Sequence, residues 1–318
     1  MGPARGAREA TCVKIMNVRL GILDFGEVHR DDVAAQGLNR TLDQAMLADR
    51  LGFTRYWLAE HHDRTSSWAS PELLVPLLAS RTQRIHIGTA GILLRYYSPL
   101  KIACDFSLAE RLYPGRIDLG LARGLAGQNN RGLSPSNLPL DPDDSLYGNK
   151  LSELIGHLTN TLEEGHPASR GLVIPPPSGT LEIWLMGTSQ TSAELAAAHG
   201  LAFAYSLFFS EKANLSDVSR YVESFRPSRF LSSPKYAVAV AGVCAETTER
   251  AVDVARSRSN RLIVPTLVGA PHICADYFEG IRVRLQDVEF ILLDVCSNAS
   301  DRRTSYSLLS EALGLETL

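Results

Sequence analysis

The sequence has no long hydrophobic run and no excess of one charge, and each absence excludes a class of protein. No run of about 18 apolar residues occurs, so we expect no transmembrane helix. The formal net charge of the 318 residues is -3, which gives no reason to expect nucleic acid or an anionic membrane as a partner. With 45% hydrophobic residues, the chain has ample material for a core.

Cysteine is scarce and scattered along the chain. The five cysteines are Cys12, Cys104, Cys244, Cys274 and Cys296. Because they are odd in number and form no C-x-x-C pair, we expect reduced thiols, a cytoplasmic protein and no metal site. Residues 1–15 lack the apolar stretch of a signal peptide and predict a flexible tail, with one domain over residues 16–318.

The chain does have an alternation of β-rich segments and helical patterns. Eight segments have the nearly continuous apolar composition of strands covered on both faces. They are 18–24, 55–60, 85–91, 116–122, 182–187, 202–208, 236–243 and 289–294. Eight strand–helix units in roughly 300 residues predict a (β/α)8 TIM barrel with an insertion after the fourth strand. An open doubly wound sheet would need a glycine-rich phosphate motif after the first strand, where this chain has "DFGEVHRDD".

Two segments interrupt the alternation. Residues 124–148 follow the fourth strand and are rich in Gly, Pro, Asn and Asp. Since loops after strands lie at the active-site face of a barrel, we predict a lid there. Residues 165–180 contain three consecutive prolines and are predicted to pack around the bottom of the fifth strand.

A phosphate-binding pattern follows the fifth strand. Gly187 would let a ligand approach the backbone, and Thr188, Ser189 and Ser192 stand at the start of a predicted helix. Hydroxyls, free N–H groups and the helix dipole can bind a phosphate, although an ordinary Ser/Thr helix cap has the same pattern. Arg123, at the end of the fourth strand, is predicted to reach the same anion.

The second predicted strand ends in Glu60, His61 and His62. Adjacent side chains on a strand point to opposite sides, so the two histidines are not expected to bind one metal ion. A histidine at the mouth is suited to proton transfer, while the alternative is a hydrogen-bonded rim residue without chemistry. The small residues 88–91 ("GTAG") after the third strand would let a flat ring lie against the backbone.

Four motifs, in this order, resemble those of the bacterial luciferase-like flavin-dependent monooxygenases. They are "GFTRYWLAEHHDR", "IHIGTAGILL", "LYPGRIDLGLARG" and "EIWLMGTSQTSAELAAAHGLAFAYS". The resemblance implies a TIM barrel that takes reduced FMN (FMNH2) from a separate flavin reductase. Through a flavin hydroperoxide, such an enzyme transfers one oxygen atom from O2 to a small organic substrate.

The resemblance also implies roles for individual residues. His61 resembles the catalytic histidine beside the flavin, with Glu60 at the floor of its pocket. Ala90–Gly91 matches a cis peptide bond under the flavin ring. Arg123, Thr188, Ser189 and Ser192 match the phosphate-binding set, and Met186 and Ser206 would line the flavin pocket.

Two departures separate the chain from light-emitting luciferases. Ala122 stands where bacterial luciferase has a reactive cysteine, and residues 244–288 are too compact for its long mobile loop. We therefore predict a monooxygenase of an organic substrate, such as an aromatic polyketide in secondary metabolism. The lid and four aromatic residues would shape the substrate pocket: Phe25, Tyr96, Tyr97 and Phe208.

Two other functions fit the same motifs. One is a related barrel reductase that binds a deazaflavin instead of FMN, and the other is a flavin-binding protein without turnover. The "AEHH" motif favours the oxygenase. The resemblance further implies a homodimer formed through the helices that flank the second and third strands.

Overall fold

The computed structural model is a closed barrel of parallel strands surrounded by helices. It describes residues 18–28, 34–62, 65–124, 145–209, 214–258 and 262–318. The predicted tail, residues 1–15, and most of the predicted lid lie outside the described residues. Within the described ranges, no helix is long and apolar enough to span a membrane.

Strands and helices alternate along the described chain. The strands are β1 (Arg19–Asp24), β2 (Arg55–Leu58), β3 (His86–Thr89), β4 (Ile92–Leu93), β5 (Ile117–Ala122), β6 (Glu182–Gly187), β7 (Ala202–Ser206), β8 (Tyr236–Cys244), β9 (Leu267–Gly269) and β10 (Glu289–Asp294). The helices are α1 (Ala34–Arg50), α2 (Pro71–Arg81), α3 (Pro99–Leu112), α4 (Ser145–Thr159), α5 (Gln190–His199), α6 (Ser216–Ser224), α7 (Thr248–Arg256), α8 (Pro271–Arg282) and α9 (Ala299–Leu313).

Eight of these strands form the barrel wall. The order is β10-β1-β2-β3-β5-β6-β7-β8, and β8 closes the ring by pairing with β10. All eight predicted strands and the TIM barrel are confirmed, with strand ends within two residues of their predicted positions. The short strands β4 and β9 pair with β5 and β8. They were not predicted, because two or three residues carry no periodic signal.

The structure moves one boundary of the predicted lid and extends the contacts predicted for residues 165–180. The predicted lid ends before residue 148, because α4 begins at Ser145 and buries Tyr147. The rest of the predicted lid, residues 125–144, lies outside the described residues. Residues 165–180 run along α3 rather than only beneath the fifth barrel strand. Arg111 donates a hydrogen bond to the Pro176 carbonyl at 3.0 Å, and Thr180 donates to Glu110 directly before β6.

The barrel interior is filled by two indole rings and several small side chains. Trp57 and Trp184 meet edge to face, with their ring centroids 5.0 Å apart. Ala237, Ala239 and Ala241 face them from β8, in the same buried cluster. Large side chains from β2 and β6 and small side chains from β8 thus share the interior, which is how a small barrel reaches the packing density of a protein interior.

A buried ionic network closes the amino-terminal end of the barrel. Nη1 of Arg55 lies 2.7 Å from Asp118, its Nε lies 2.7 Å from Glu289, and its Nη2 lies 3.0 Å from Glu182. The guanidinium group also lies 4.8 Å from the ring centroid of Trp184. One side chain on β2 therefore connects β5, β6 and β10 across the barrel.

The pairing decides the charge state of the carboxyl groups. Burial alone would raise the pKa values of Asp118 and Glu289, but the Arg55 charge reverses this and lowers both. Their contribution to stability is therefore fully present above about pH 4, the ordinary pKa of an unfolded carboxyl, and is lost as the pH falls below it.

Replacing Arg55 with Met is expected to destabilise the fold by about 3–5 kcal/mol, because it leaves buried carboxylates without their counter-charge. Urea unfolding at pH 7, followed by circular dichroism, measures the loss. The matched control is Arg282→Met, since Arg282 pairs with Glu279 at 3.2 Å on the surface. That variant is expected to stay within about 0.5 kcal/mol of wild type, and equal losses in both variants would contradict the role of the network.

Candidate active site

The predicted phosphate residues meet where β5 and β6 end. Nη2 of Arg123 lies 3.2 Å from the hydroxyl oxygens of both Ser189 and Ser192. Ser189 is the N-cap of α5, and its hydroxyl accepts a hydrogen bond from the Ser192 amide. We call these three residues the Arg123 clamp. Thr188 is exposed beside the clamp and is not part of this hydrogen-bonded group.

Gly187 makes room for the Arg123 clamp. A Cβ at this position would lie 2.3 Å from the Cβ of Ser192 and 2.7 Å from its hydroxyl oxygen. The missing side chain thus makes room for Ser192 and brings its hydroxyl to Arg123. The glycine therefore shapes the clamp, and its role in the approach of a ligand stays a prediction.

A cavity of about 360 Å³ adjoins the clamp. Its wall includes Arg123, Ser192 and Met186, together with Tyr147 and Leu195. Pockets of about 300–1,000 Å³ with apolar walls and a few polar groups are typical of small-molecule sites. Sequence reasoning did not identify Tyr147, because it lies in a segment that the residue composition assigned to a loop.

The two histidines diverge, as strand geometry predicts. The ring of His61 contacts Phe25 edge to face, with centroids 4.5 Å apart, at the carboxyl ends of β1 and β2. Nε2 of His62 instead lies 2.7 Å from Glu60. In the described part of the chain, no three His, Cys, Asp or Glu side chains are grouped to hold a metal ion.

Glu60 is held by three hydrogen-bond partners. It is 3% exposed and accepts a hydrogen bond from the Tyr97 hydroxyl at 2.5 Å and from the Leu93 amide at 2.9 Å, in addition to its contact with His62. Burial and the hydrogen bond to Glu60 raise the pKa of Tyr97 well above its ordinary value, so the phenol keeps its proton. Glu60 thus joins the end of β2 to the segment after β3.

The four aromatic residues predicted to contact substrate separate into two groups. Phe25 and Phe208 are buried near His61, with their ring centroids 6.3 Å apart. Tyr97 is bonded to Glu60, and Tyr96 lies against Gly124. The hydroxyl of Tyr97 is therefore engaged by the protein and supports Glu60, while substrate contact by any of the four residues stays a prediction.

The remaining predicted flavin contacts surround the barrel mouth. The Ala90–Gly91 peptide bond is cis, as predicted. Ala90 and Met186 pack on the barrel-interior cluster, and Ser206 ends β7 beside Ala239. Gly120 makes room for the neighbouring strand, since a Cβ at that glycine would lie 1.8 Å from the Thr89 carbonyl oxygen, and the Met186 Cε fills the space beside it.

Solved structures share the whole fold. MsnO8, in its apo form, is 29% identical with a TM-score of 0.83, over 95% of this chain and 99% of that one. The oxygenating constituent of 3,6-diketocamphane monooxygenase from Pseudomonas putida, in complex with FMN, is 18% identical with a TM-score of 0.73, over 95% and 99%. An F420-dependent secondary alcohol dehydrogenase is 13% identical with a TM-score of 0.71, over 94% and 99%.

Sequence comparison gives the family. A family model described as "Luciferase-like monooxygenase" matches residues 18–283. A luciferase-like monooxygenase of Escherichia coli is 32% identical over 73% of this chain and 68% of that protein. The N-acetyl-S-alkylcysteine monooxygenase of Bacillus subtilis is 27% identical over 93% of this chain and 98% of that protein. The chain is a monooxygenase that belongs to the luciferase-like monooxygenase family.

Proposed function

We propose that the protein is a monooxygenase that uses FMNH2 from a separate reductase to transfer one atom of O2 to a small organic substrate. The observation that carries the proposal is the Arg123 clamp, in which a guanidinium group and two hydroxyls converge at the start of a helix. We also propose that the protein is cytoplasmic, because the cysteines in the described part of the chain are free thiols.

The clamp suits a phosphate monoester such as that of FMN. Guanidinium and hydroxyl donors match phosphate oxygens, and the positive end of the α5 dipole adds to the attraction. The adjoining cavity of about 360 Å³ leaves room beside the anion for the rest of a ligand. The cis Ala90–Gly91 bond, Met186 and Ser206 lie at the barrel mouth, where the flavin ring would be held.

Reduced FMN, when bound, supplies the electrons that activate O2. The protein would orient it through Arg123, Ser189 and Ser192. His61 would hold a proton at the barrel mouth, with its ring positioned by Phe25. Glu60 would position the His61–His62 segment through Tyr97 and Leu93 and would not itself transfer a proton.

Replacing Arg123 with Gln is expected to weaken FMN binding about 10- to 100-fold, the equivalent of the 1.5–3 kcal/mol typical of a hydrogen bond to a charged group. Quenching of FMN fluorescence on titration with protein measures the affinity. Riboflavin, which lacks the phosphate, is the control ligand, and its affinity is expected to stay the same in both proteins. An equal loss for FMN and riboflavin would mean that Arg123 does not bind the phosphate.

Replacing His61 with Ala is expected to lower oxygen transfer by about 100-fold or more, because general acid–base groups contribute this much, while FMN binding is retained. The assay supplies NADH, FMN, a flavin reductase and ¹⁸O₂, and mass spectrometry detects label in a panel of organic sulfides, cyclic ketones and phenols.

His272→Ala, on the exposed surface of α8, is the matched control and is expected to transfer oxygen as wild type does. If His61→Ala labels the products at the wild-type rate, the role of His61 is wrong. Hydride transfer with a reduced deazaflavin, together with no ¹⁸O label, would instead identify a deazaflavin-dependent reductase. Tight FMN binding without either reaction would identify a binding protein.

We also propose a homodimer formed through α2 and α3. These neighbouring helices expose four leucines, which are Leu73, Leu77, Leu108 and Leu112, with exposed fractions between 40% and 71%. An apolar patch of this kind is typical of an interface between subunits. No described segment of the chain covers this face, and a second copy would bury it.

The double substitution Leu73→Glu and Leu77→Glu is expected to convert the dimer to a monomer, because it would bury two negative charges from each subunit in an apolar interface. Size-exclusion chromatography with light scattering measures the mass. Val283→Glu, at a residue that is 78% exposed on another face, is the control and is expected to remain dimeric. A wild-type protein that is monomeric at micromolar concentration would refute the proposal.

A further inference from the structure

A second concave site lies outside the barrel, between α1 and α9. It has a volume of about 320 Å³, comparable to the cavity beside the Arg123 clamp. Its walls come from the carboxyl-terminal two-thirds of α1 and from the first turn of α9. We call it the α1–α9 groove. It shares no residue with the candidate active site.

The groove is strongly basic in a chain whose formal net charge is -3. Its walls carry four arginines, Arg40, Arg50, Arg302 and Arg303, against a single carboxylate, Asp43. Arg302 is neutralised by Asp294, whose carboxylate lies 2.8 Å from its Nε. Arg50 and Arg303 add two further guanidinium groups against the single carboxylate of Asp43, which makes the groove attractive to anions.

Two of these arginines could bind a ligand without breaking an ion pair with a described residue. Arg50 and Arg303 are exposed, and neither forms an ion pair with another described residue. The groove also contains the first residue of α9, Ala299, so the positive end of a 15-residue helix opens into it. Charged side chains and a helix dipole thus act in the same direction.

The walls are apolar between the arginines. Met46 and Leu47 are both half-buried and line the groove from α1. A bare inorganic anion would leave these side chains and most of the volume uncovered. A ligand with an anionic head and a short apolar body would pair with the arginines and also bury Met46 and Leu47.

We propose that the α1–α9 groove binds a small amphipathic organic anion, a carboxylate or phosphate with an apolar tail, at a site separate from the one that holds the flavin. Binding there does not depend on the proposed oxygenase activity. The anion would be held by Arg50 and Arg303, while Met46 and Leu47 would contact the tail.

Decanoate is the probe for this proposal. Isothermal titration calorimetry on the full chain measures its affinity, and hydrogen–deuterium exchange locates it by protection of α1 and α9. The double substitution Arg50→Glu and Arg303→Glu is expected to abolish that protection and to weaken this binding at least tenfold. Decan-1-ol and inorganic phosphate are each expected to bind at least tenfold more weakly than decanoate, because each lacks one half of the recognised chemistry.

The charge-matched control is the double substitution Arg170→Glu and Arg256→Glu, at two exposed arginines on other surfaces. It is expected to keep both the affinity and the protection of α1 and α9. Equal weakening in the two double variants would overturn the proposal, since it would show attraction by overall charge alone. Equal binding of decanol would overturn the anionic class of the ligand, and equal binding of phosphate would overturn the need for a tail.

Discussion

Arg55 is the one side chain on which the closure of the barrel depends most directly. It extends from β2 into the barrel and meets carboxylates from β5, β6 and β10, with an indole ring beside it. A buried guanidinium group is tolerated only when charges of opposite sign surround it, so the positions of these strands are coupled. The same interaction keeps Asp118 and Glu289 ionised where burial would otherwise protonate them.

Above this charged layer the interior becomes apolar, and the polar groups appear again only at the mouth. The order follows from the sequence, since alternate residues of each strand face inward at successive heights. On β2, Arg55 is followed by Trp57 and then by the turn that carries Glu60 and His61. The end that stabilises the fold and the end that carries chemistry are thus separated by a layer of indole rings.

Much of this could be predicted from the sequence. Nearly continuous apolar segments that alternate with helical patterns located the barrel strands, and the serine-rich turn after β6 indicated the clamp with Arg123. The position of α4 could not be predicted, because a tyrosine at the end of a Gly/Pro/Asn-rich segment is typical of a loop. The bond between Tyr97 and Glu60 joins segments 37 residues apart, and nothing local in either segment indicates it. The cavity beside the Arg123 clamp and the α1–α9 groove could not be predicted either, because each forms only where particular helices lie side by side.

The layer formed by Trp57 and Trp184 has a consequence for molecular traffic. Both indoles are at most 1% exposed, and with Arg55 beneath them they block the axis of the barrel. The barrel axis therefore provides no second entrance from the amino-terminal end. A cofactor, dioxygen, substrate and product would all pass through the barrel mouth. A molecule that binds first would narrow the opening for the next one. The order in which cofactor, dioxygen and substrate bind and product leaves would therefore depend on access through this opening as well as on chemistry.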